Sequence, residues 1–554
     1  MNAALYRRIR IIVGALTLAF CTLAFADIGN WVSAQAARVV LWPQFVPSLL
    51  SLGQGFGWLS IGCLAVIALT LLFGRVYCAM LCPLGVLMDF SAWLARRTGR
   101  KRKLPYRPGK TWIRTLVVAV CIVGFIAGTL LPLSLLDPYS VFGKIVSAVL
   151  RPPIAWLNHT ISATGLIQPV NVSPVSWIAA GVGLGIFLLV IIAAVTRGRL
   201  WCNTACPVGA VLGFFSKHSL FRLQIADSAC IGCSMCERVC PAQCIDFRNH
   251  RIDHSRCVMC LDCVTSCRKS GIHLKAAFPW QGRGSDASGE CLADGVSVSA
   301  KSSTAHSLGP FGKRSLPTTS RRIFLAASAL IPVAALGQRR HRESRRESED
   351  EDCGDDCRTC PNCLNQHNKT AVLPPGAKSL EHFQHHCTAC QLCVTNCPEQ
   401  VLRPSITQHG LSGFLQPYQD FETSFCSYNC SDCSQICPTG AISPISVEER
   451  KTVRTGKAKF FRGRCVVFTN GTSCGACNEH CPTQAVHMVP WKNGLTIPKV
   501  DPDLCIGCGG CEFICPVRPN KAIVVEGLVV HERSKPVDTG KKNSVREMEE
   551  EFPF

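Results

Sequence analysis

The chain has 554 residues, a formal net charge of +21 and 37 cysteines, with a mean hydropathy of +0.21. That length exceeds one ordinary core, and the positive hydropathy argues against a plain soluble globule and for membrane spans. The basic residues crowd beside apolar runs, at 7–10, 96–110 and 197–222, which reads as a juxtamembrane topology signal and not as a nucleic-acid surface.

Four apolar runs dominate the first two hundred residues, approximately Ile9–Phe25, Trp58–Phe73, Thr115–Leu135 and Trp177–Val195. Each approaches the ~20 residues that cross a bilayer. Arg7, Arg8 and Arg10 precede the first run, and Arg96, Arg97, Arg100, Lys101, Arg102, Lys103, Arg107 and Lys110 follow the second. The connections after the first and third runs hold only Arg38, Lys144 and Arg151. The positive-inside rule therefore puts the N-terminus, the 74–111 loop and the chain after Val195 in the cytoplasm. Within the fourth run, GVGLG at 181–185 reads as small-residue helix packing and not as a dinucleotide loop.

The stretch GRVYCAMLCPLG at 74–85 repeats as GRLWCNTACPVG at 198–209, each just past the end of an even-numbered run. Two related helix pairs follow, each with a C-x3-C-P elbow. Residues four apart on a helical turn share a face, so Cys78 with Cys82 and Cys202 with Cys206 each point two sulfurs one way. Together the four could hold a metal or redox centre, or they could simply pack as free cysteines do. Cys21, Cys63 and Cys121 lie within runs and read as fillers.

Most other cysteines fall in C-x2-C-x2-C-x3-C groups, whose close spacing suits metal better than disulfides. Residues 230–241, CIGCSMCERVCP, and 257–267, CVMCLDCVTSC, form two ferredoxin tetrads. In this pattern the fourth cysteine reaches across to the partner cluster. Cys230, Cys233, Cys236 and Cys267 are assigned to one [4Fe–4S] cluster, and Cys257, Cys260, Cys263 and Cys240 to the other. Zinc knuckles are the competing account; Cys244 is surplus and reads as a packed thiol. Four more tetrads follow: Cys387, Cys390, Cys393 and Cys397; Cys426, Cys430, Cys433 and Cys437; Cys465, Cys474, Cys477 and Cys481; and Cys505, Cys508, Cys511 and Cys515. The second has an extra residue at Asn429 and the third an insertion at 466–473, changes that alter cluster surroundings without removing a thiolate. Nested pairing, first with fourth and second with third, is the expected arrangement. Up to six cubanes result.

Between these regions, TTSRRIFLAASALIP at 318–332 carries the parts of a twin-arginine export signal. Its apolar run, Ile323–Gly337, would form a fifth span or signal-anchor, although five arginines after it, from Arg339 to Arg346, oppose outward passage. The four cysteines of CGDDCRTCPNC, Cys353 to Cys363, read as a variable linker, with a small metal site as the alternative. There is no C-x2-C-H haem motif, Walker loop or nucleophile elbow, so no catalytic residue is expected.

The first 280 residues resemble the NapH-type membrane polyferredoxins, through the four runs, both C-x3-C-P elbows and the two tetrads at 230–267. The distal half is similar to the NapG-type periplasmic polyferredoxins, which carry four cluster motifs behind a twin-arginine signal; the C-x8-C spacing at 465–474 matches that family's third motif. The resemblance implies electron transfer from quinol or a cytoplasmic donor to a periplasmic reductase partner, in a quinol dehydrogenase component of the bacterial inner membrane. It also implies contact with membrane lipid and the quinol pool, a cytoplasmic first ferredoxin and a periplasmic distal one. An iron–sulfur regulatory or maturation factor is the alternative, although a sensor needs one labile cluster and not a chain of six.

The expected fold class is thus membrane α-helical, with four spans and a fifth candidate, plus small α+β ferredoxin-like domains. Residues 1–220 are the membrane domain, 221–280 a cytoplasmic two-cluster ferredoxin, and 281–320 a flexible linker. The signal-like segment spans 321–338, a charged linker 339–380, the four-motif polyferredoxin 381–530, and a polar tail 531–554.

Overall fold

The computed structural model describes residues 3–27, 29, 32–52, 58–97, 105–165, 176–276 and 370–536. The twin-arginine stretch, the linker at 281–320, the charged linker as far as residue 369 and CGDDCRTCPNC lie outside the described residues, whereas Val372, Leu373 and Ala377, within the expected charged linker, are buried.

All four apolar runs form helices: α1 (Ala3–Ala26), α4 (Trp58–Phe73), α7 (Thr111–Ile126) and α11 (Trp177–Arg197), with α2 (Ala34–Leu41), α3 (Phe45–Leu52), α5 (Tyr77–Met80) and α6 (Pro83–Arg97) among them. Among the described residues only α1 and α11 are long and apolar enough to cross a membrane, at ~1.5 Å per residue about 36 and 32 Å. The third run does not continue to Leu135 as expected. Gly128 takes a left-handed φ of 79°, which stops α7, and Pro132 then opens a separate helix, α8 (Leu131–Leu136). Asp137 caps α9 (Pro138–Ile145), its carboxylate accepting from the Ser140 amide and hydroxyl at 2.8 Å each. A π turn at Val146–Leu150 leads into α10 (Arg151–Ser162). Of the GVGLG glycines only Gly183 is a close-packing position, where a Cβ would stand 2.4 Å from that of Ala148; nothing lies near Gly181 or Gly185.

Past α11 come α12 (Leu200–Thr204) and α13 (Pro207–Ser216), then the first ferredoxin unit. In it β1 (Phe221–Ile225) pairs antiparallel with β4 (Ile272–Ala276), enclosing α14 (Met235–Val239), the hairpin of β2 (Ile245–Asp246) with β3 (Arg251–Ile252), and α15 (Asp262–Ser266). The distal region repeats the helix–hairpin–helix part of this plan twice, with an outer strand pair described in its second unit. Its first unit contains α16 (Leu380–His386), α17 (Leu392–Thr395), the hairpin of β5 (Leu402–Pro404) with β6 (Pro417–Gln419), and α18 (Asp432–Ile436). After α19 (Val447–Arg450), the second runs β7 (Val453–Phe460), α20 (Val466–Asn470), α21 (Ala476–Glu479), β8 (Val486–Pro490), β9 (Thr496–Val500), α22 (Gly510–Ile514) and β10 (Ile523–Arg533); β10 pairs with β7 and β8 with β9.

The two ferredoxin regions sit at opposite ends of the helical domain. At one end, the Tyr6 hydroxyl donates to Met259 O at 2.9 Å, Arg10 holds the Asp262 carboxylate at 3.2 and 3.3 Å, and Arg114, at the start of α7, donates to Ser255 Oγ at 3.1 Å. The Arg199 amide, just past α11, donates to Pro241 O at 3.0 Å. At the other end, Asn396 donates to Ala24 O at 3.1 Å, and Arg151 donates to Thr395 O at 3.0 Å and Gln400 Oε1 at 2.9 Å. Gly143 lies so close to the distal loop that a Cβ there would be 2.2 Å from Cys390 O. Alternate helix ends thus face alternate modules, as an up-and-down bundle requires.

Candidate metal centres

Each ferredoxin loop is bent by left-handed residues at fixed offsets. In the four tetrads of regular spacing, the positions two and four after the first cysteine have positive φ: Gly232 and Ser234, Met259 and Leu261, Ala389 and Gln391, Gly507 and Gly509. In five of the six tetrads the position three after the last cysteine does too, at Gln243, Ser270, Gln400, Gly440 and Gln484. Nine of these thirteen are not glycine, five of them glutamine or methionine, so strain is held at the ligand loops, where it turns amides inward. The tetrads with altered spacing, from Cys426 and Cys465, lack the first pair. Their insertions reshape the loop as the sequence implied.

The thiols gather as cross-paired sets of four. Cys230, Cys233, Cys236 and Cys267 line one cavity, and Cys240, Cys257, Cys260 and Cys263 line another. Cys244 lines the second as well, its sulfur 3.5 Å from that of Cys240, so it is packed directly on a ligand set. In the distal region Cys397 shares a cavity with Cys426, Cys430 and Cys433, while Cys437 lies near enough to Cys387, Cys390 and Cys393 to act on their ionisation. Cys481 does the same for Cys505, Cys508 and Cys511, and Cys515 for Cys465 and Cys477. The nested pairing expected from sequence is therefore wrong: first pairs with second and third with fourth. The cause is local, because the hairpins β5–β6 and β8–β9 fold each loop back on its predecessor, as β2–β3 does in the first ferredoxin.

The chemistry of the donor sets fits iron–sulfur clusters. Burial pushes the Cys430, Cys477 and Cys508 thiols up to about 12, so a thiolate here needs a cation to hold it. Donors to sulfur are in place: the Gly271 amide lies 3.2 Å from Cys267 Sγ, the Ile442 amide 3.5 Å from Cys437 Sγ, and the fully buried Arg450 guanidinium 3.3 Å from Cys426 Sγ. Such contacts tune a cluster's potential. Among the described residues no three Cys, His, Asp or Glu side chains are grouped as a single metal ion would need. A cluster, which holds its sulfurs through separate irons, makes no such demand.

The elbows converge. Cys78, Cys82, Cys202 and Cys206 are all buried, and Cys82 is within electrostatic reach of the other three. The two repeats exchange arginines: Arg75 donates to Cys202 O at 3.1 Å, and Arg199 to Cys78 O at 2.6 Å. The glycines Gly85 and Gly209 let each C-P helix close on its own loop, since a Cβ would stand 2.4 and 2.2 Å from Cys78 O and Cys202 O. Their amides donate to Cys82 Sγ at 3.4 Å and Cys206 Sγ at 3.2 Å. Arg75, Arg199 and Arg450 were missed from sequence, although a Gly-Arg pair opens both elbows. Cys21 and Cys63 are buried in the helical core and Cys121 is half-buried.

A profile described as "4Fe-4S binding domain" matches residues 54–101 and 179–225, the two elbow stretches, and one described as "4Fe-4S dicluster domain" matches 471–518. Curated relatives include the methylamine utilization ferredoxin-type protein MauM of Methylobacillus flagellatus, 32% identical over 26% of this chain and 64% of that protein. The methylamine utilization ferredoxin-type protein MauN of Paracoccus denitrificans is 30% identical over 36% of this chain and 56% of its own length. No solved structure matches. The ferredoxin-type protein NapF of Escherichia coli strain K12 is 31% identical over 29% of this chain and 87% of its own length, and through that stretch the chain belongs to the NapF family of ferredoxin-type iron–sulfur proteins.

Proposed function

We propose that this iron–sulfur carrier is anchored in a bacterial inner membrane and relays electrons across it, one at a time, through up to six cubanes. Electrons enter from quinol or a cytoplasmic donor and leave through the distal clusters to a periplasmic reductase partner. The observation that carries this reading is the placement of the two ferredoxin regions at opposite ends of α1. Further support comes from apolar faces left in the open. α11 buries only 17% of its most apolar stretch and α1 33%, and Ile61, Leu64, Leu116, Ile122, Leu188 and Ile192 are exposed on α4, α7 and α11. A soluble core would cover them. In this reading α4 and α7 also span, and the arginines at 7–10 together with Arg96, Arg97, Arg107 and Lys110 lie on the side of the first ferredoxin.

The clusters supply reversible one-electron chemistry when bound; the protein's residues hold and insulate them. Cys267 and Cys437 accept amide hydrogen bonds, and Arg450 sets a positive charge against Cys426. The twin-arginine stretch between the modules suits export of a folded distal region. The test is anaerobic purification from membranes with iron, sulfide and absorption analysis, followed by reduction with a quinol analogue. A reporter fused after residue 520 should be active on the periplasmic side. Zinc-loaded, colourless protein overturns the carrier reading, and a reporter active only in the cytoplasm overturns the crossing.

A further inference from the structure

We propose that an anionic phospholipid occupies the cavity between α1, α6, the end of α11 and the first ferredoxin, with its phosphate on Arg96 and Arg238 and its chains against the helices. Such a site lies outside the electron path and rests only on the membrane placement of the helices.

The cavity measures about 710 Å³, within the range of small-molecule sites, and its walls are elements that other contacts fix. At Gly14, α1 lies close on α6, where a Cβ would stand 3.3 Å from Val86. The end of α11 turns at Gly198, whose left-handed φ of 62° brings it onto the ferredoxin loop; a Cβ there would stand 2.4 Å from Pro241 O. Arg10 holds Asp262 of α15 at 3.2 Å, so the ferredoxin covers the space between the helices. Ile11, Ala15 and Leu18 of α1, Phe90 of α6 and Ala194 of α11 make part of the lining apolar. Phe90 stacks on Trp93, another lining residue, with ring centroids 5.8 Å apart; a tryptophan there suits the headgroup level of a bilayer.

Charge selects the occupant. Four arginines line the cavity, Arg7, Arg10, Arg96 and Arg238, against two carboxylates, Asp89 and Asp262. Both carboxylates are taken: Asp262 lies 3.4 Å from Arg7 and 3.2 Å from Arg10, and Asp89 pairs with Arg199 at 2.6 Å. Arg96 and Arg238 are exposed and form no ion pair among the described residues. A neutral amphiphile would leave these two guanidiniums unanswered, whereas a phosphate diester accepts charge-assisted hydrogen bonds from both. Free phosphate would satisfy the arginines and leave the apolar lining bare. An anionic headgroup with acyl chains matches both, as basic pockets at the cytoplasmic edge of membrane helices do. Arg96 belongs to the helical domain and Arg238 to the ferredoxin, so one bound lipid joins the two. It lies beside Cys240, whose neighbours Val239 and Pro241 line the same space, and it steadies the loop that presents this ligand.

The test uses the full chain, purified anaerobically from membranes with its clusters, washed in detergent and weighed by native mass spectrometry. Wild type should keep one phosphatidylglycerol or cardiolipin per chain through the wash. Phosphatidylglycerol titrated into stripped protein should rebind and slow amide exchange at 238–241. Arg96→Gln with Arg238→Gln should weaken that rebinding about thirtyfold, at about fivefold per arginine. Ala15→Trp, which keeps every charge and fills the space, should abolish it. Arg248→Gln, at an exposed arginine of the same ferredoxin outside the cavity, should leave it unchanged. Three results overturn the site: phosphatidylethanolamine rebinding as tightly as phosphatidylglycerol, lipid retained undiminished in the double variant, or a quinone recovered in place of phospholipid. Glycerol 3-phosphate binding as tightly as phosphatidylglycerol assigns the cavity to a soluble phosphate and overturns the lipid. Should the substituted chains fail to accumulate, wild type decides: a preference for phosphatidylglycerol over both competitors supports the site, and equal binding overturns it. Each of these leaves a membrane-bound chain with its clusters intact, whereas failure of the membrane reading releases the wild-type chain without detergent.

Discussion

The cross-pairing of the distal tetrads makes a prediction that separates the structure from the simplest reading of the sequence. Cys393 and Cys437 belong to tetrads 387–397 and 426–437, yet they face the same set, whereas Cys433 faces the set completed by Cys397. Replacing Cys393 by serine should release one cluster, about four irons. Adding Cys437→Ser should release no more, because both substitutions strike the same cluster. Adding Cys433→Ser instead should double the loss to about eight irons, because a second cluster goes. The assay is iron and acid-labile sulfide per chain, with spin quantitation of the reduced protein. With nested pairing, Cys437 would serve the third tetrad and both double variants would lose two clusters. Equal losses in the two doubles would therefore refute the assignment.

Three further outcomes follow from named contacts. Asp89→Ala leaves the buried Arg199 guanidinium without its carboxylate; removing one partner of a buried pair costs ~3–5 kcal/mol, and since Asp89 is 29% exposed the lower end applies, visible as a lower melting temperature that Asp89→Leu with Arg199→Met partly restores. Asn396→Ala with Arg151→Ala removes the side-chain bonds from the distal loop to α1 and α10, and should raise amide exchange at 392–400 while leaving the iron content unchanged. Burial, then the nearby Arg450 charge, lowers His531 to about 4. The folded state holds it neutral while the unfolded chain protonates near 6.5, so stability is present above that value and is lost as the pH falls toward 4. The loss is about 3 kcal/mol in full, and denaturant titrations at pH 7.5 and 5 should show most of it in the native protein and little in His531→Met.

Where spacing alone dictates geometry, sequence sufficed. The ligand sets at 230–267 were legible because three cysteines in C-x2-C-x2-C must wrap one centre and the fourth must reach over. Distal pairing was not, because it depends on the hairpins β5–β6 and β8–β9, three- and five-residue strands whose return is set by pairing and not by cysteine spacing. The third apolar run was read too long, since hydropathy does not register that Gly128 turns left-handed and Pro132 starts a new helix. The guanidiniums at Arg75, Arg199 and Arg450 were invisible for a different reason. An arginine in sequence reads as a surface or topology charge, and only packing shows that it is buried against sulfur.

The elbow repeat is symmetric in its cysteines, glycines and arginines but not in its charge, and the break has a physical origin. The repeat offset that carries Arg75 onto Arg199 carries Asp89 onto Gly213. A side chain at Gly213 has no room: a Cβ would lie 1.9 Å from Arg114 Nη2 and 2.6 Å from Ser255 O. Both groups belong to the docking of the first ferredoxin, where Arg114 donates to Ser255 Oγ and Ser255 O also accepts from Arg75. Only one repeat carries that module, so only one must give up its carboxylate. Its arginine is then left to face the thiols with an unbalanced charge. Docking a ferredoxin against one elbow thus leaves the buried Arg75 with neutral oxygens and the Cys78 sulfur as its hydrogen-bond partners, where Arg199 has a carboxylate.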